Sequence, residues 1–434
     1  MKPYAEMTKA ELEALKSSLM AEYKEVEAMG LDLNMARGKP SEAQLNLSNE
    51  MMDVLNSDSY YLDSTGTDSR NYGILTGIPE AKTLMGEMSE VPPENMIIYG
   101  NSSLNIMFDT VSKSYTHGVC GSTPWCKLDG TVKWLCPAPG YDRHFGVTEY
   151  FGFDLITIPM RPDGPDMDMV EEYVNNDPMV KGIWCVPKYS NPQGYSYSDE
   201  TVRRFANLKP AAEDFRIYWD NAYSIHHLYD DPRKQDIILE LLDECEKAGN
   251  PDICYKFIST SKVTFPGSGL AAVAASRKNL EDLQKHMKVQ TIGHDKLNQL
   301  RHVRFFGNMA NMRRHMMKHA AILRPKFEMV EDTFERELGG LGIGSWTKPN
   351  GGYFISFDSM DGCAKEIVKK CSDAGVKLTP AGATYPYHKD PHDSNIRIAP
   401  SFPPLDELKQ AAEVFVLAVK LTSVEKLLAG MEEA

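Results

Sequence analysis

The sequence predicts an α/β protein with a mainly parallel, seven-stranded sheet in a large domain and a smaller α+β unit beside it. Short apolar runs recur from residue 96 onward, with helical or loop segments between most of them. Such uninterrupted apolar strands are typical of parallel sheets that are buried on both faces. Beyond about residue 320 the pattern changes to short strands mixed with amphipathic helices. The 434 residues also exceed what one compact core usually holds, so more than one domain is expected.

The strands of the large sheet follow from the apolar runs. They are predicted at 96–99, 134–137, 154–159, 183–187, 217–220, 256–260 and 269–276. The connection between the last two is too short for a crossover, so one of them is expected to run antiparallel. In the smaller unit the pattern predicts strands at 353–357, 376–379 and 395–399, and helices at 363–374 and 405–428.

The N-terminus predicts an amphipathic helix without a sheet of its own. Thr8 and Glu11 form a capping box before it, and Gly30 ends it. We expect this helix to pack on the C-terminal unit. The predicted division is therefore an N-terminal helix and arm at 1–58 that belongs to the small domain, a large domain at 59–318, and a C-terminal small domain at 319–434.

Net charge, the length of the apolar runs and the cysteine pattern exclude several classes of function. A net charge of -14 argues against a nucleic-acid or anionic-membrane surface, and no apolar run reaches the length of a membrane span. The eight cysteines include no C-x-x-C pair, which favours buried free thiols in a reducing compartment and a cytoplasmic protein. His315 and His319 stand one turn apart on a helix predicted at 308–323, but no third ligand lies near them in the sequence, so no metal site is expected.

Polar side chains follow several predicted strands at the point where each strand ends. The carboxyl ends of parallel strands share one edge of a sheet, where ligands bind. The groups are Asn101, Ser102 and Ser103 before a helix, Tyr141 after Pro139-Gly140, Asn191 in a turn, Asp220 and Tyr223 around one strand end, and Lys262 among the hydroxyls of Ser259 and Ser261. An ordinary loop lysine would show the same local pattern as Lys262. Together, however, these groups supply phosphate donors, a flat ring, an amide, a carboxylate, a phenol and an amine, which is the set that pyridoxal 5'-phosphate (PLP) requires.

Over nearly its whole length the chain resembles the fold-type I PLP enzymes, specifically the class I/II aminotransferases. The resemblance rests on Tyr72-Gly73, Gly100-Asn-Ser-Ser103, Pro139-Gly-Tyr141, Asn191-Pro-Gln-Gly194, Asp220-Asn-Ala-Tyr223, Ser259-Thr-Ser-Lys262 and Asn395-Ile-Arg397. The segment Ala36-Arg37-Gly38-Lys39-Pro40 is similar to a bacterial aspartate aminotransferase branch, a less specific match.

The resemblance implies a role for each of these residues. Lys262 forms the internal aldimine and moves the α-proton, Asp220 pairs with the pyridinium nitrogen, Asn191 and Tyr223 hold O3', and Tyr141 stacks on the ring. Asn101, Ser102 and Ser103 hold the phosphate, with Ser259 and Ser261 also in the cofactor site, and Tyr72 reaches the phosphate of the neighbouring subunit of a homodimer. Arg397 binds the substrate α-carboxylate. Gly38, Arg37 and Lys39 join the substrate site, and Arg37 or Lys39 is favoured for a side-chain carboxylate.

The sequence departs from the family pattern in two places. The arginine that usually binds the phosphate, seven or eight residues after the lysine, is replaced by Gly269 and Leu270. We expect Lys296, or less favourably His294, to approach the phosphate from the partner subunit, with Ser268 filling part of the space. An acidic helix at about 232–248 is interpreted as a surface insertion.

The leading hypothesis is an aminotransferase that acts on an aspartate- or glutamate-like amino acid and a 2-oxo acid. The nearest alternative is another PLP enzyme of the same fold, a β-lyase or decarboxylase, because the groups that hold the cofactor do not select the reaction. A PLP-sensing transcription regulator would need a basic DNA-binding unit before residue 60, and the acidic helix there does not provide one.

Overall fold

In the computed structural model, which describes residues 2–433, the chain forms thirteen α-helices and thirteen strands. The helices are α1 (Lys9–Ala28), α2 (Glu42–Asn46), α3 (Pro79–Ser89), α4 (Ser103–His117), α5 (Asp142–Tyr150), α6 (Met167–Asn176), α7 (Asp199–Ala206), α8 (Leu241–Lys247), α9 (Arg277–Gln290), α10 (Lys296–Phe306), α11 (Met309–Leu338), α12 (Ala364–Asp373) and α13 (Leu405–Glu433). The strands are β1 (Leu33–Asn34), β2 (Met96–Ile98), β3 (Lys133–Ala138), β4 (Asp154–Arg161), β5 (Gly164–Pro165), β6 (Val180–Cys185), β7 (Arg216–Asp220), β8 (Cys254–Ser259), β9 (Ala271–Ala275), β10 (Gly344–Trp346), β11 (Ile355–Ser359), β12 (Val376–Lys377) and β13 (Asn395–Ile398). No helix in the described range is long and apolar enough to cross a membrane.

The large sheet has the strand order β2-β9-β8-β7-β6-β3-β4-β5. The five strands from β8 to β4 in this order run parallel, and β9 runs antiparallel to both of its neighbours. The α/β fold and the seven predicted strands are confirmed, including the antiparallel strand. An eighth strand, β5, adds only two residues antiparallel to β4. Its Gly-Pro sequence carries no apolar run that could have predicted it.

Helices cover both faces of this sheet, as a parallel sheet requires. On one face, α4, α5 and α9 pack over a buried aromatic layer. Within that layer the Trp134 ring lies 5.0 Å from Trp184 and 4.9 Å from Tyr218, centroid to centroid. On the other face lie α6 and α7 at one end and α3, α10 and α11 at the other.

The C-terminal unit consists of the antiparallel sheet β10-β11-β13 with α12 and α13. The N-terminal helix packs here: Leu12, Leu19 and Tyr23 of α1 are buried in the same core as α13, and the Tyr23 hydroxyl donates to the Lys370 carbonyl at 2.8 Å. Strand β1 pairs in parallel with β12. The division at 58 and 318 remains a proposal, and its second boundary falls within α11.

The helix predicted at about 232–248 is shorter than expected, and the interpretation of the segment as an insertion remains a prediction. The α-helix in this segment is only α8, and its Leu241 and Cys245 are completely buried. Just before α8, Glu240 forms an ion pair with Lys256 of β8, whose Nζ also donates to the Ser89 carbonyl at 2.6 Å. The segment is therefore attached to the sheet by a buried charge pair, which composition alone did not reveal.

Candidate active site

A cavity of about 460 Å³ lies at the carboxyl edge of the large sheet, facing the C-terminal unit. This edge collects the ends of β3, β6, β7 and β8 because these strands are parallel. Most of the site residues predicted from sequence line this cavity. They are Arg37, Gly38, Lys39, Ser102, Ser103, Tyr141, Asn191, Asp220, Tyr223, Ser259, Ser261, Lys262 and Arg397.

Lys262 follows the end of β8 and projects over two aromatic rings. Its Nζ lies 4.8 Å from the centroid of Tyr223 and 5.7 Å from that of Tyr353. No carboxylate in the described residues forms an ion pair with it. The amine is therefore held by ring faces and remains free for bonding to a ligand.

Asp220, the last residue of β7, is only 3% exposed. Its Oδ2 accepts a hydrogen bond of 2.9 Å from His144 Nε2, and the His144 ring stacks on Trp184 with a centroid separation of 4.7 Å. The other oxygen, Oδ1, is buried and has no hydrogen-bond partner within the described chain. Because an unsatisfied buried carboxylate oxygen is costly, this atom points to a donor supplied by a ligand.

His144 was missed in the sequence analysis. It lies on α5, three residues after Tyr141, so the helix that follows the predicted ring-stacking residue also brings an imidazole to Asp220. The requirement that a buried carboxylate be paired was the signal that could have found it.

Tyr141, Tyr223 and Asn191 form the walls around Asp220 and Lys262. Burial is the main cause that raises the pKa of the Tyr223 phenol, and nearby Asp220 raises it further. Burial also raises the pKa of Tyr141, against an opposing effect of Lys262. Both phenols are therefore protonated at neutral pH and can donate hydrogen bonds.

At one end of the cavity, hydroxyls and helix N–H groups converge. Ser102 is the N-cap of α4 and makes no side-chain capping bond, and Ser103 is the first residue of that helix. Ser259 and Ser261 join their hydroxyls at 2.6 Å, and the Ser261 Oγ donates to the Asn101 carbonyl at 3.2 Å. Free N–H groups at a helix start with hydroxyls beside them form a suitable site for an anion such as phosphate.

Arg397 of β13 also lines the cavity and is 8% exposed. Its guanidinium stacks on Phe354 at 4.8 Å and donates to Asn191 Oδ1 at 3.2 Å and to Asp142 Oδ1 at 3.1 Å. A third bond of 3.3 Å joins it to the Thr379 hydroxyl. This fixed, planar cation matches the geometry of a carboxylate.

This combination of fold and site can be compared with known proteins. The family model described as aspartate amino-transferase matches residues 7–431. An aspartate aminotransferase of Corynebacterium glutamicum is 43% identical over 404 residues, which cover 93% of this chain and 92% of that protein. The chain belongs to the aspartate aminotransferase family. It is an aminotransferase, and the family predicted from the sequence motifs is confirmed.

Solved structures agree with this assignment. The crystal structure of an aspartate transaminase from Corynebacterium glutamicum matches with a TM-score of 0.95 and 40% identity, covering 98% of this chain and 99% of that chain. An α-aminoadipate aminotransferase from Thermus thermophilus shares the fold with a TM-score of 0.71 and 19% identity, covering 95% of each chain.

Three predicted site residues of this family member do not line the cavity. Asn101 lies beside it, with its Nδ2 donating to the Pro266 carbonyl at 3.2 Å. Tyr72 is 79% exposed. Lys296 is the first residue of α10 and is 5% exposed, so its own chain covers almost all of the side chain. The roles of Tyr72 and Lys296 toward a partner subunit remain predictions.

The region of the missing phosphate arginine contains a different cation. Arg301 on α10 donates from Nη2 to the Ser268 hydroxyl at 2.6 Å, and its Nε is buried without a partner in the described chain. His294, the other residue considered for this role, lies 5.0 Å from the Tyr99 ring. Sequence reasoning missed Arg301 because it lies on a separate helix, 39 residues after Lys262.

Proposed function

We propose that this family member transfers the amino group of an aspartate- or glutamate-like amino acid to a 2-oxo acid, with pyridoxal 5'-phosphate held in the cavity around Lys262. The names of its Corynebacterium glutamicum relatives, an aspartate aminotransferase and an aspartate transaminase, support this substrate class. The Thermus thermophilus protein of the same fold was solved with N-(5'-phosphopyridoxyl)-L-leucine.

The observation that carries the proposal is the orphaned Oδ1 of Asp220. This atom is buried, while Oδ2 of the same carboxylate is held by His144. A carboxylate that is fixed on one oxygen and free on the other fits the protonated ring nitrogen of a pyridine. His144 acts as a positioning residue, because its hydrogen bond and its stacking on Trp184 fix the orientation of the carboxylate.

The remaining donors also fit this cofactor. The phosphate would be held by the N-terminus of α4 together with Ser102, Ser103, Ser259 and Ser261. Asn101 would support the loop before α4 from outside the cavity, through its bond to the Pro266 carbonyl. The protonated Tyr223 phenol and the Asn191 amide would donate to the ring oxygen. Tyr141 would cover the ring face.

When bound, pyridoxal phosphate supplies an electrophilic carbonyl and an electron sink. The chain supplies the other parts of the reaction. Lys262 would hold the cofactor through its amine and would move a proton to and from the substrate α-carbon. Arg397 would hold the α-carboxylate and so orient the substrate in the cavity that it shares with Lys262.

The decisive experiment is Lys262→Ala. We expect transamination of aspartate with 2-oxoglutarate to fall to background while the circular dichroism spectrum stays unchanged, because the amine is lost and the fold is not. Lys24→Ala, on the exposed side of α1, is the matched control and should retain full activity. Substantial residual turnover by Lys262→Ala would contradict the assignment. Product formation by the unmodified protein without any 2-oxo acid would instead favour a β-lyase or decarboxylase.

In this proposal the working form is a homodimer with an active site shared between subunits. The exposure of Tyr72 supports it, because a tyrosine 79% exposed in one chain is available to a second. Lys296 is 5% exposed within its own chain, so its predicted role toward the partner's phosphate requires its side chain to leave that environment. Arg301 beside Ser268 is the better-placed cation.

A further inference from the structure

Arg143 lines the active-site cavity but takes no part in holding the fold together. It is the second residue of α5 and is exposed. Among residues 2–433 it has no hydrogen-bond or ion-pair partner through its side chain. A cation in the first turn of a helix is opposed by the helix dipole. The position is therefore unfavourable for stability, which points to a ligand as the reason for the charge.

The cavity carries more positive charge than its own acids neutralise. Its lining contains Lys262 and four other cations, Arg37, Lys39, Arg143 and Arg397, but only two carboxylates, Asp142 and Asp220. Asp220 bonds to His144 through Oδ2 only, and Asp142 is paired with Arg397. In a chain with a net charge of -14, this local excess indicates an anionic ligand with more than one charged group.

Arg143 differs from Arg37 and Lys39, the other two candidate cations, in its closeness to Asp142, the partner of Arg397. Lys39 Nζ lies 4.0 Å from the centroid of the Phe402 ring, so that side chain is already engaged. Arg143 directly follows Asp142, which accepts from Arg397 at 3.1 Å. Adjacent Cα atoms are about 3.8 Å apart, so Arg143 is rooted next to the residue that touches the α-carboxylate anchor.

We propose that Arg143 binds the distal carboxylate of a dicarboxylic amino acid whose α-carboxylate is held by Arg397. In aspartate and glutamate the two carboxylates are only a few bonds apart, so a long side chain that lines the same cavity and follows Asp142, the partner of Arg397, is suitably placed for the second one. Unlike Arg37, which belongs to the N-terminal loop, Arg143 shares its helical turn with Asp142. This inference rests on the proposed aminotransferase function and names the residue that selects its substrate.

The phosphate of the cofactor is the competing anion. Arg143 also lines a neighbouring cavity of about 820 Å³ together with Asn101 and Ser102. Near Asn101 and Ser102, the N–H groups at the start of α4 and the serine hydroxyls already offer hydrogen-bond donors to a phosphate. The experiment must nevertheless separate the two anions.

The test compares the holoenzymes of Arg143→Gln, Arg143→Lys, Arg37→Gln and Lys39→Gln with the unmodified protein. For Arg143→Gln, kcat/KM for aspartate should fall about 30-fold more than kcat/KM for alanine, because a hydrogen-bonded charge pair is lost only with the dicarboxylate. Arg143→Lys should lie in between, since an ammonium lacks the planar fork. Arg37→Gln and Lys39→Gln should change this ratio less than about three-fold.

A binding measurement gives a second readout that does not depend on turnover. Calorimetric titration with the unreactive dicarboxylate succinate should show about 30-fold weaker binding to Arg143→Gln, whereas propionate binding should change little. Equal losses for succinate and propionate, or weaker PLP affinity with an unchanged substrate ratio, would overturn the proposal. If the unmodified protein transaminates no amino acid, the proposed function fails, and the succinate titration still decides whether Arg143 binds a second carboxylate.

Discussion

Gly38 shows how one residue without a side chain can determine the position of a binding group. A Cβ atom built on Gly38 would lie 2.2 Å from Cζ of Phe354, well inside contact distance. The Phe354 ring in turn supports the Arg397 guanidinium at 4.8 Å. The absence of a side chain at Gly38 therefore allows the N-terminal loop to press the ring against the arginine.

We expect Gly38→Ala to raise KM for amino acids about ten-fold or more, because the displaced ring moves Arg397 out of the geometry that matches a carboxylate. Steady-state kinetics with aspartate and alanine should show the same loss for both. Gly430→Ala is the control, since a Cβ on that helical glycine meets nothing within 4 Å. An unchanged KM in Gly38→Ala would mean that the ring does not position Arg397.

At this scale the sequence predicted the residues that carry the cofactor chemistry but not those that support them. Asp220, Tyr223 and Lys262 stand in strand-end motifs, so their residue types and spacing indicated a shared edge. His144 and Arg143 lie inside a helix, and which side chains of a helix face a cavity depends on how it packs. That information is tertiary and is absent from the local pattern.

The loop that carries Lys262 is fixed by the helices behind it. The Leu270 amide donates to the Thr260 hydroxyl at 2.8 Å, and the Thr264 hydroxyl lies 3.0 Å from His302 Nε2 on α10. His302 Nδ1 donates to the Asn298 carbonyl at 2.8 Å, so its Nε2 accepts. Burial lowers the pKa of His302 to about 4, which keeps this neutral form at physiological pH. A neutral, fully bonded histidine holds the loop without adding charge near Lys262.

Helix α11 contains a carboxyl group whose titration should be visible in stability. Burial raises the pKa of Glu331 from its ordinary value of 4.5 to about 7, with Lys348 opposing the shift and Asp332 and Glu328 adding to it. A raised pKa means that the folded state favours the protonated acid. The folded state is therefore penalised as pH rises from the unfolded value through 7.

Glu331→Gln removes this titration. We expect its melting temperature to match that of the unmodified protein at pH 4.5 and to exceed it progressively as pH rises to 8, with no further divergence above that. Thermal denaturation followed by circular dichroism at several pH values measures the difference. The exposed Glu413→Gln on α13 is the control and should show no such trend. If the melting temperatures of Glu331→Gln and the unmodified protein differ by the same amount at every pH, the difference comes from packing and not from the charge of Glu331.

Among the helices and strands, those with the clearest hydrophobic pattern were predicted most accurately from the sequence. The seven strands were predicted because each contains an apolar run. Six of them are buried along almost their whole length, whereas only Leu155 and Ile158 of β4 are buried. Two-residue β5 and the irregular segment before α8 have no periodicity to detect. The helix predicted at 308–323 extends to Leu338 through Pro325. Proline usually ends a helix, but here packing of Phe327, Val330 and Phe334 in the C-terminal core continues it.

For the whole molecule, the cavity depends on segments that are far apart in sequence. The loop at 36–39 reaches it because β1 pairs with β12, and the Thr379 hydroxyl donates to the Ala36 carbonyl at 2.9 Å. Arg397 comes from the C-terminal unit, whereas Lys262 and Asp220 come from the large sheet. The site is therefore complete only where the C-terminal unit packs against the carboxyl edge of the large sheet.

The proposed homodimer has a consequence that one mixed sample can test. If Tyr72 serves the neighbouring site, Tyr72→Ala and Lys262→Ala damage different halves of a shared site. In a heterodimer of the two variants, one site lacks both groups, while the other keeps Lys262 from its own chain and Tyr72 from the partner. We expect each variant alone to be weak or inactive, and co-refolding of equal amounts to restore about a quarter of unmodified activity, since about half of symmetric pairs are mixed and each has one intact site.

The measurement is aspartate transamination before and after co-refolding, with dimer formation followed by analytical ultracentrifugation. Lys262→Ala co-refolded with Asp220→Ala is the control: both residues belong to one site of one chain, but each heterodimer site then lacks one group, so no activity should return. If Tyr72→Ala with Lys262→Ala behaves like this control, Tyr72 acts within its own chain. Its 79% exposure would then need a different explanation, because a tyrosine on an open surface gains little from its ring unless another surface covers it.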